Sequence, residues 1–192
     1  MQPAPIKTKR PSRARERLLE TASSLFYTDG IRAVGVDRVV GEANVTRATF
    51  YRHFPGKDEL VRAYLEREHL RVVEVISGVQ RDAPDPAARL QRVLDSIVED
   101  AARPGFRGCA FINAANEYTD PAHPVRRVVR DHRAWLHEAL REVLAANEHP
   151  EPVRAARTLV LLCDGATVGA HLDDREQVRT AFLDAASVAC AR

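Results

Sequence analysis

Residues 36–54, VDRVVGEANVTRATFYRHF, constrain the fold more than any other stretch, because they read as two short helices meeting at a tight turn. Val36, Val39, Val40 and Ala43 have the i, i+3, i+4, i+7 spacing of a helix with one apolar face, and all four are expected to pack inward. Asn44 follows as the turn residue, since an abrupt helix end uses a left-handed backbone conformation that Gly, and then Asn, tolerates best. Thr46 is placed to cap the next helix through its hydroxyl, and Val45 and Phe50 have the spacing of a hydrophobic staple. Phe50 and Phe54, one turn apart, supply the buried stripe of that second helix. Arg47, Ala48, Thr49, Tyr51, Arg52 and His53 are left on its accessible sides.

A buried back and a basic, hydroxyl-rich front suit insertion into a DNA groove, and the charge distribution agrees. Residues 1–53 carry ten Lys and Arg against five Asp and Glu, roughly +5, in a chain whose net charge is +2. A DNA-contacting head on a body with another task has this asymmetry, although a basic tail beside a solvated helix face gives the same count. The run VDRVVGEANVTRATFYRHFPGKDEL resembles the helix-turn-helix of the tetracycline-repressor (TetR) family of bacterial transcription regulators. The likeness covers roughly residues 12–72 and is strongest over Thr49–Phe54 followed by Lys57, Glu59 and Leu60. Two positions depart from the family pattern: Val36 stands where a capping Thr is frequent, and Asn44 stands where Gly is usual.

Elsewhere the chain reads as helix throughout, so the expected class is all-α. Residues 1–11, MQPAPIKTKRP, are expected to be a flexible basic arm, either solvated or following DNA. Residues 12–72 form the expected DNA-binding domain of three helices and the start of a fourth, and residues 73–192 a helical body. Ser12 caps a helix with Leu18, Leu19, Ala22, Leu25 and Phe26 on one face, ending at Gly30. Lys57 to about Gln80 is a long helix joining head to body, with Leu60, Tyr64, Leu65, Val72, Val75 and Ile76 turned inward. After breaks at Asp82–Pro86, Arg103–Gly105, Asp120-Pro and His123-Pro, helices follow over 87–102, 109–118, 125–146, 152–171 and 175–190. The helix from Pro152 is apolar on more than one side, through Leu159, Val160, Leu161, Leu162, Ala166, Val168 and Ala170, with Gly165 and Gly169 permitting close approach. A second subunit or the chain's own core can cover it, and the resemblance implies a homodimer through residues 152–190.

Arg47 can fork onto guanine O6 and N7 in the major groove, and Thr46 serves as a cap beside it. By the resemblance, Ala48 and Thr49 face base edges, while Tyr51, His53 and Lys57 hold phosphates of a palindromic double-stranded operator. It also implies a small-molecule effector in the body, whose binding releases a repressor from DNA. Cys109, Phe111, Asn113, Asn116, Glu117, His132, Trp135, Cys163, Asp164, Thr167 and His171 are the candidates to line that pocket, Glu117 or Asp164 answering a cationic effector. Packing residues follow the same pattern. Two other readings stand beside this one: a thiol-based redox regulator using Cys109 or Cys163, if exposed and with a lowered pKa, and a non-specific architectural DNA-binding protein. No catalytic constellation, cofactor motif, metal-ligand spacing, signal peptide or membrane span is read, so a cytoplasmic, non-enzymatic protein is expected.

Overall fold

Left-handed residues and prolines set where the helices stop and start. The structure, a computed structural model, describes residues 12–83 and 85–191, and the arm expected over residues 1–11 lies outside them. Among the described residues there are nine α-helices and no strand: α1 (Arg13–Asp29), α2 (Val36–Glu42), α3 (Arg47–His53), α4 (Lys57–Asp82), α5 (Pro86–Ala102), α6 (Ala110–Glu117), α7 (Pro124–Ala146), α8 (Pro152–Leu172) and α9 (Arg175–Ala189). Two compact units result, one ending at Tyr64 and the other beginning at Leu65, with α4 shared between them. No described helix is long and apolar enough to cross a membrane.

In the first unit, Ser12 Oγ accepts the Arg15 N–H at 3.2 Å and so starts α1. The five apolar residues that the α1 spacing singles out are all buried. α2 ends in a Schellman arrangement: the Asn44 N–H bonds the Gly41 carbonyl at 3.1 Å and the Val45 N–H bonds the Val40 carbonyl at 3.2 Å. Asn44 carries the left-handed conformation that closes it, with φ 49°. Thr46 then caps α3, its hydroxyl accepting the Thr49 N–H at 3.1 Å. Phe50 and Phe54 are buried with ring centroids 6.0 Å apart, and Phe26 meets Tyr64 at 5.9 Å. Val36 departs from its inward assignment and is only half-buried, because it is the first residue of α2 and has no preceding turn to cover it.

The second unit is a helical body with a large apolar cluster and a smaller one formed by Ala101, Phe106 and Ala170. Val93, Leu94 and Val98 of α5, Leu140 and Leu144 of α7, Leu159, Val160 and Cys163 of α8, and Phe182 and Ala186 of α9 are buried together with Ile76. Each large apolar side chain withdrawn this fully contributes about 1.5–3 kcal/mol. Val75, expected inward, is exposed instead, since it lies one residue, hence roughly 100° of helix, away from the buried Ile76. Pro86 and Pro124, which read as breaks, open α5 and α7, as Pro152 opens α8, because the first turn of a helix needs no N–H from them. Polar clips tie distant segments together. Asn147 Nδ2 donates to the Pro86 carbonyl at 2.8 Å, and Arg71 forks onto Asp100 at 2.8 and 3.3 Å.

α8 has two apolar faces with different fates. Leu159, Val160, Cys163, Ala166 and Ala170 are buried, whereas Val153, Leu161, Val168 and Leu172 are exposed, Leu161 at 68%. Between them, Gly169 lies against Val178 of α9 so closely that an added Cβ would come within 3.2 Å of a Val178 methyl.

The turn supplies a test of the first unit. Asn44→Val forces a β-branched residue into the left-handed region and is expected to destabilise the protein by about 1–2 kcal/mol, while Asn44→Gly stays within about 0.5 kcal/mol of wild type. Urea denaturation followed by circular dichroism measures both; equal stability of the two variants contradicts the assigned turn.

Candidate nucleic-acid interface

α3 presents its polar side because its back is fixed. Phe50 is fully buried, Tyr51 stands edge-on to it with centroids 5.1 Å apart, and the Tyr51 side is left 53% exposed. Arg47 and Ala48, in the first turn, are exposed, and Thr49 is half-buried with its hydroxyl accepting from Thr46 Oγ1 at 3.0 Å. His53 closes the helix, and its Nε2 lies 3.0 Å from Ser12 Oγ, tying the end of α3 to the start of α1. The α1 residue Arg15 lies over the Phe54 ring at 5.1 Å, and Arg17 reaches the Asn44 carbonyl at 3.4 Å. Lys57 opens α4 and is half-buried. The seven interface candidates therefore lie on α3, its cap and the first residue of α4. One partner was not singled out from sequence. Asp37, in the first turn of α2, receives the Arg47 guanidinium through Nε at 2.8 Å and Nη2 at 3.2 Å.

The body candidates divide sharply. Phe111, His132 and Trp135 come together: Phe111 stacks flat on His132 with centroids 3.5 Å apart, and Trp135 lies 5.9 Å from the same ring. His69 of α4 completes the group, its Nδ1 3.1 Å from His132 Nδ1 and its ring 5.1 Å from Trp135. A separation of sixty-three positions hid that pair from any local pattern. Asp164 is not waiting for a cationic ligand, because Arg133 forks onto it at 2.9 and 2.8 Å. Thr167 donates to the Asp164 carbonyl of its own helix and Asn113 to the Arg107 carbonyl, while Asn116 and His171 are exposed. Glu117 is half-buried at the end of α6. An open groove of about 500 Å³ between α7 and α8 is lined by Arg133, His137, Val153, Arg157 and Leu161 among others, and by none of the pocket candidates.

The thiols are poorly suited to redox sensing. Burial pushes the Cys163 thiol up to about 12, assisted by the Asp164 carboxylate, and burial likewise raises Cys109. The thiolate is the form that oxidants attack, so raising both pKa values suppresses that chemistry near neutrality. Neither thiol therefore has the lowered pKa that the redox reading calls for.

Comparison with known proteins gives a consistent likeness. The family model described as bacterial regulatory proteins, tetR family, matches residues 18–64. The fold matches a TetR-family transcriptional regulator from Streptomyces coelicolor with a TM-score of 0.88 and 45% identity, covering 92% of this chain and 94% of that one. A second structure, of a TetR-type transcriptional regulator from Streptomyces avermitilis, matches at 31% identity and a TM-score of 0.76, covering 92% of this chain and 99% of the other. An uncharacterised HTH-type transcriptional regulator of Mycobacterium tuberculosis is 32% identical over 85 residues, 44% of this chain, and the match spans only 42% of that relative.

The His69–His132 contact yields a pH dependence. Burial, then the neighbouring His69 and Arg133, depresses His132 from its ordinary value to about 3. The folded protein therefore refuses a proton that the unfolded chain accepts near pH 6.5. The stability this group confers is complete above about pH 6.5 and is lost progressively as pH falls toward 3. Between pH 7 and 4.5, urea denaturation should show His132 contributing a loss of about 2–3 kcal/mol, and His132→Gln should lack that component. Identical pH profiles for the two proteins would refute the assignment.

Proposed function

Because this chain belongs to the TetR family of transcriptional regulators, we propose that it is a dimeric repressor that reads a palindromic operator through α3 and is released by a small-molecule effector. The observation that carries this reading is the capped α3, whose buried Phe50 and Phe54 leave Arg47, Ala48 and Tyr51 exposed. Arg47 is the base-reading residue, its fork matching guanine O6 and N7, and Ala48 and Thr49 meet base edges. Tyr51, His53 and Lys57 hold phosphates and set the register, with Thr46 fixing the start of the helix.

Dimerisation proceeds through residues 152–190. Support comes from Val153, Leu161, Val168 and Leu172 on α8 and Val188 on α9, apolar side chains left in solvent beside a well-filled core. Twofold symmetry then repeats the same surface on both subunits and matches a palindromic site. The effector engages the body around Phe111, His132 and Trp135, where aromatic faces and a neutral imidazole suit a planar or apolar ligand. To relieve repression it binds the form with low operator affinity more tightly than the DNA-bound form.

Two measurements test this function. Wild-type protein should bind its own upstream intergenic DNA in preference to scrambled DNA at one fixed moderate salt concentration, with Arg47→Ala and Tyr51→Ala each losing at least about tenfold in affinity, equivalent to ~1.4 kcal/mol. Indifference of all three proteins to sequence would favour the architectural alternative. Separately, Leu161→Asp should shift the protein from dimer to monomer in sedimentation velocity, and an unchanged dimer would place the interface elsewhere.

A further inference from the structure

We infer that Asp37 is a specificity-determining residue: its carboxylate holds one edge of the Arg47 guanidinium and so aims the other edge at the pair of acceptors that a guanine presents. The inference rests on the operator-reading role proposed for α3. Its physical basis is the two-point contact between Asp37 and Arg47, at 2.8 and 3.2 Å, which takes up Nε and one Nη2 hydrogen and leaves the Nη1–Nη2 edge of the guanidinium for a guanine. Asp37 belongs to the first turn of α2 and Arg47 is the first residue of α3, so the Asn44 turn places them together. Neither side chain is buried, at 74% and 64% exposed, so the free edge of the guanidinium is open to DNA. A solvent-exposed ion pair is individually weak, so its effect here is to orient Arg47 rather than to stabilise the fold.

Consider what Arg47 gains on different sequences. Guanine O6 and N7 accept two hydrogen bonds in one plane from the Nη1–Nη2 edge. Adenine, cytosine and thymine do not offer that pair. On such bases the held fork lacks its second acceptor, while the Asp37 carboxylate faces a polyanion. Without Asp37, the guanidinium is free to contact nearby phosphate oxygens whatever the sequence, which strengthens binding generally and blunts the preference for guanine. Asp37 thus acts through Arg47 as a positioning residue. A merely electrostatic role for this acid predicts something different: its removal would raise affinity for all sequences by one factor and leave their ratio alone.

The test selects duplexes bound by the purified full-length protein from a random-sequence DNA pool, comparing wild type, Asp37→Asn, Arg47→Ala, the double variant and Glu42→Gln. Glu42 is an exposed α2 acid that pairs with Arg38, so its variant calibrates the loss of one negative charge on the same helix. Wild type should enrich a palindrome with a guanine at one fixed position in each half-site. Asp37→Asn should enrich the same palindrome with the preference for that guanine reduced by about tenfold, while Glu42→Gln keeps it. In the Arg47→Ala background, Asp37→Asn should change no base preference. The inference is overturned if Asp37→Asn leaves the guanine preference intact, if Glu42→Gln erodes it equally, or if Asp37→Asn still acts without Arg47. Enrichment of no motif by wild type overturns the operator-reading function itself, and the inference with it, a result distinct from any of those three.

Discussion

One left-handed residue governs the geometry of the first unit. Asn44 at φ 49° reverses the chain after α2 and lets two backbone N–H groups, its own and that of Val45, close the end of that helix. The cap supplied by Thr46 can begin only where that reversal ends. Phe50 and Phe54 then anchor α3 by burial, and Arg47, Ala48 and Tyr51 are left exposed on its other side. The Asp37–Arg47 contact is a consequence of the same turn, since it joins the opening residues of two helices that ten positions of chain would not otherwise hold in register.

The second unit is built on the opposite economy. A broad apolar cluster joins its helices, and long-range polar links brace it: Arg71 with Asp100, Arg133 with Asp164, Asn147 with the start of α5. Pairing makes these groups tolerable at partly buried positions, where a lone charge would be costly. The imidazole of His132 is accommodated differently, by remaining neutral between Phe111 and His69. Residues 65–192 carry 17 Arg against 20 Asp and Glu, a net −3, in contrast with the exposed Arg47 and Arg52 of α3.

Much of this was legible in the residues themselves. Helix positions, the Ser12 and Thr46 caps, the left-handed Asn44 and the buried face of α1 all follow from spacing and local chemistry. Failures had two physical sources. Periodicity marks an apolar face but does not say whether anything covers it, so Val75 is exposed. Pairings across the fold leave no local trace: His69 with His132 and Arg133 with Asp164 are separated by 63 and 31 positions, and these decided which pocket candidates belong together. Asp37 was the more accessible omission, a first-turn acid on one helix ten residues before a first-turn Arg on the next.

The Gly169–Val178 approach bears on how this sequence can vary. With 3.2 Å between an added Cβ and the Val178 methyl, even alanine at 169 asks its neighbour to yield by a few tenths of an ångström. Any larger residue pushes α9 away from α8. Positions 169 and 178 are therefore expected to drift together across related proteins, bulk gained at one being matched by bulk lost at the other, so that the spacing of the last two helices is inherited as a pair of residues.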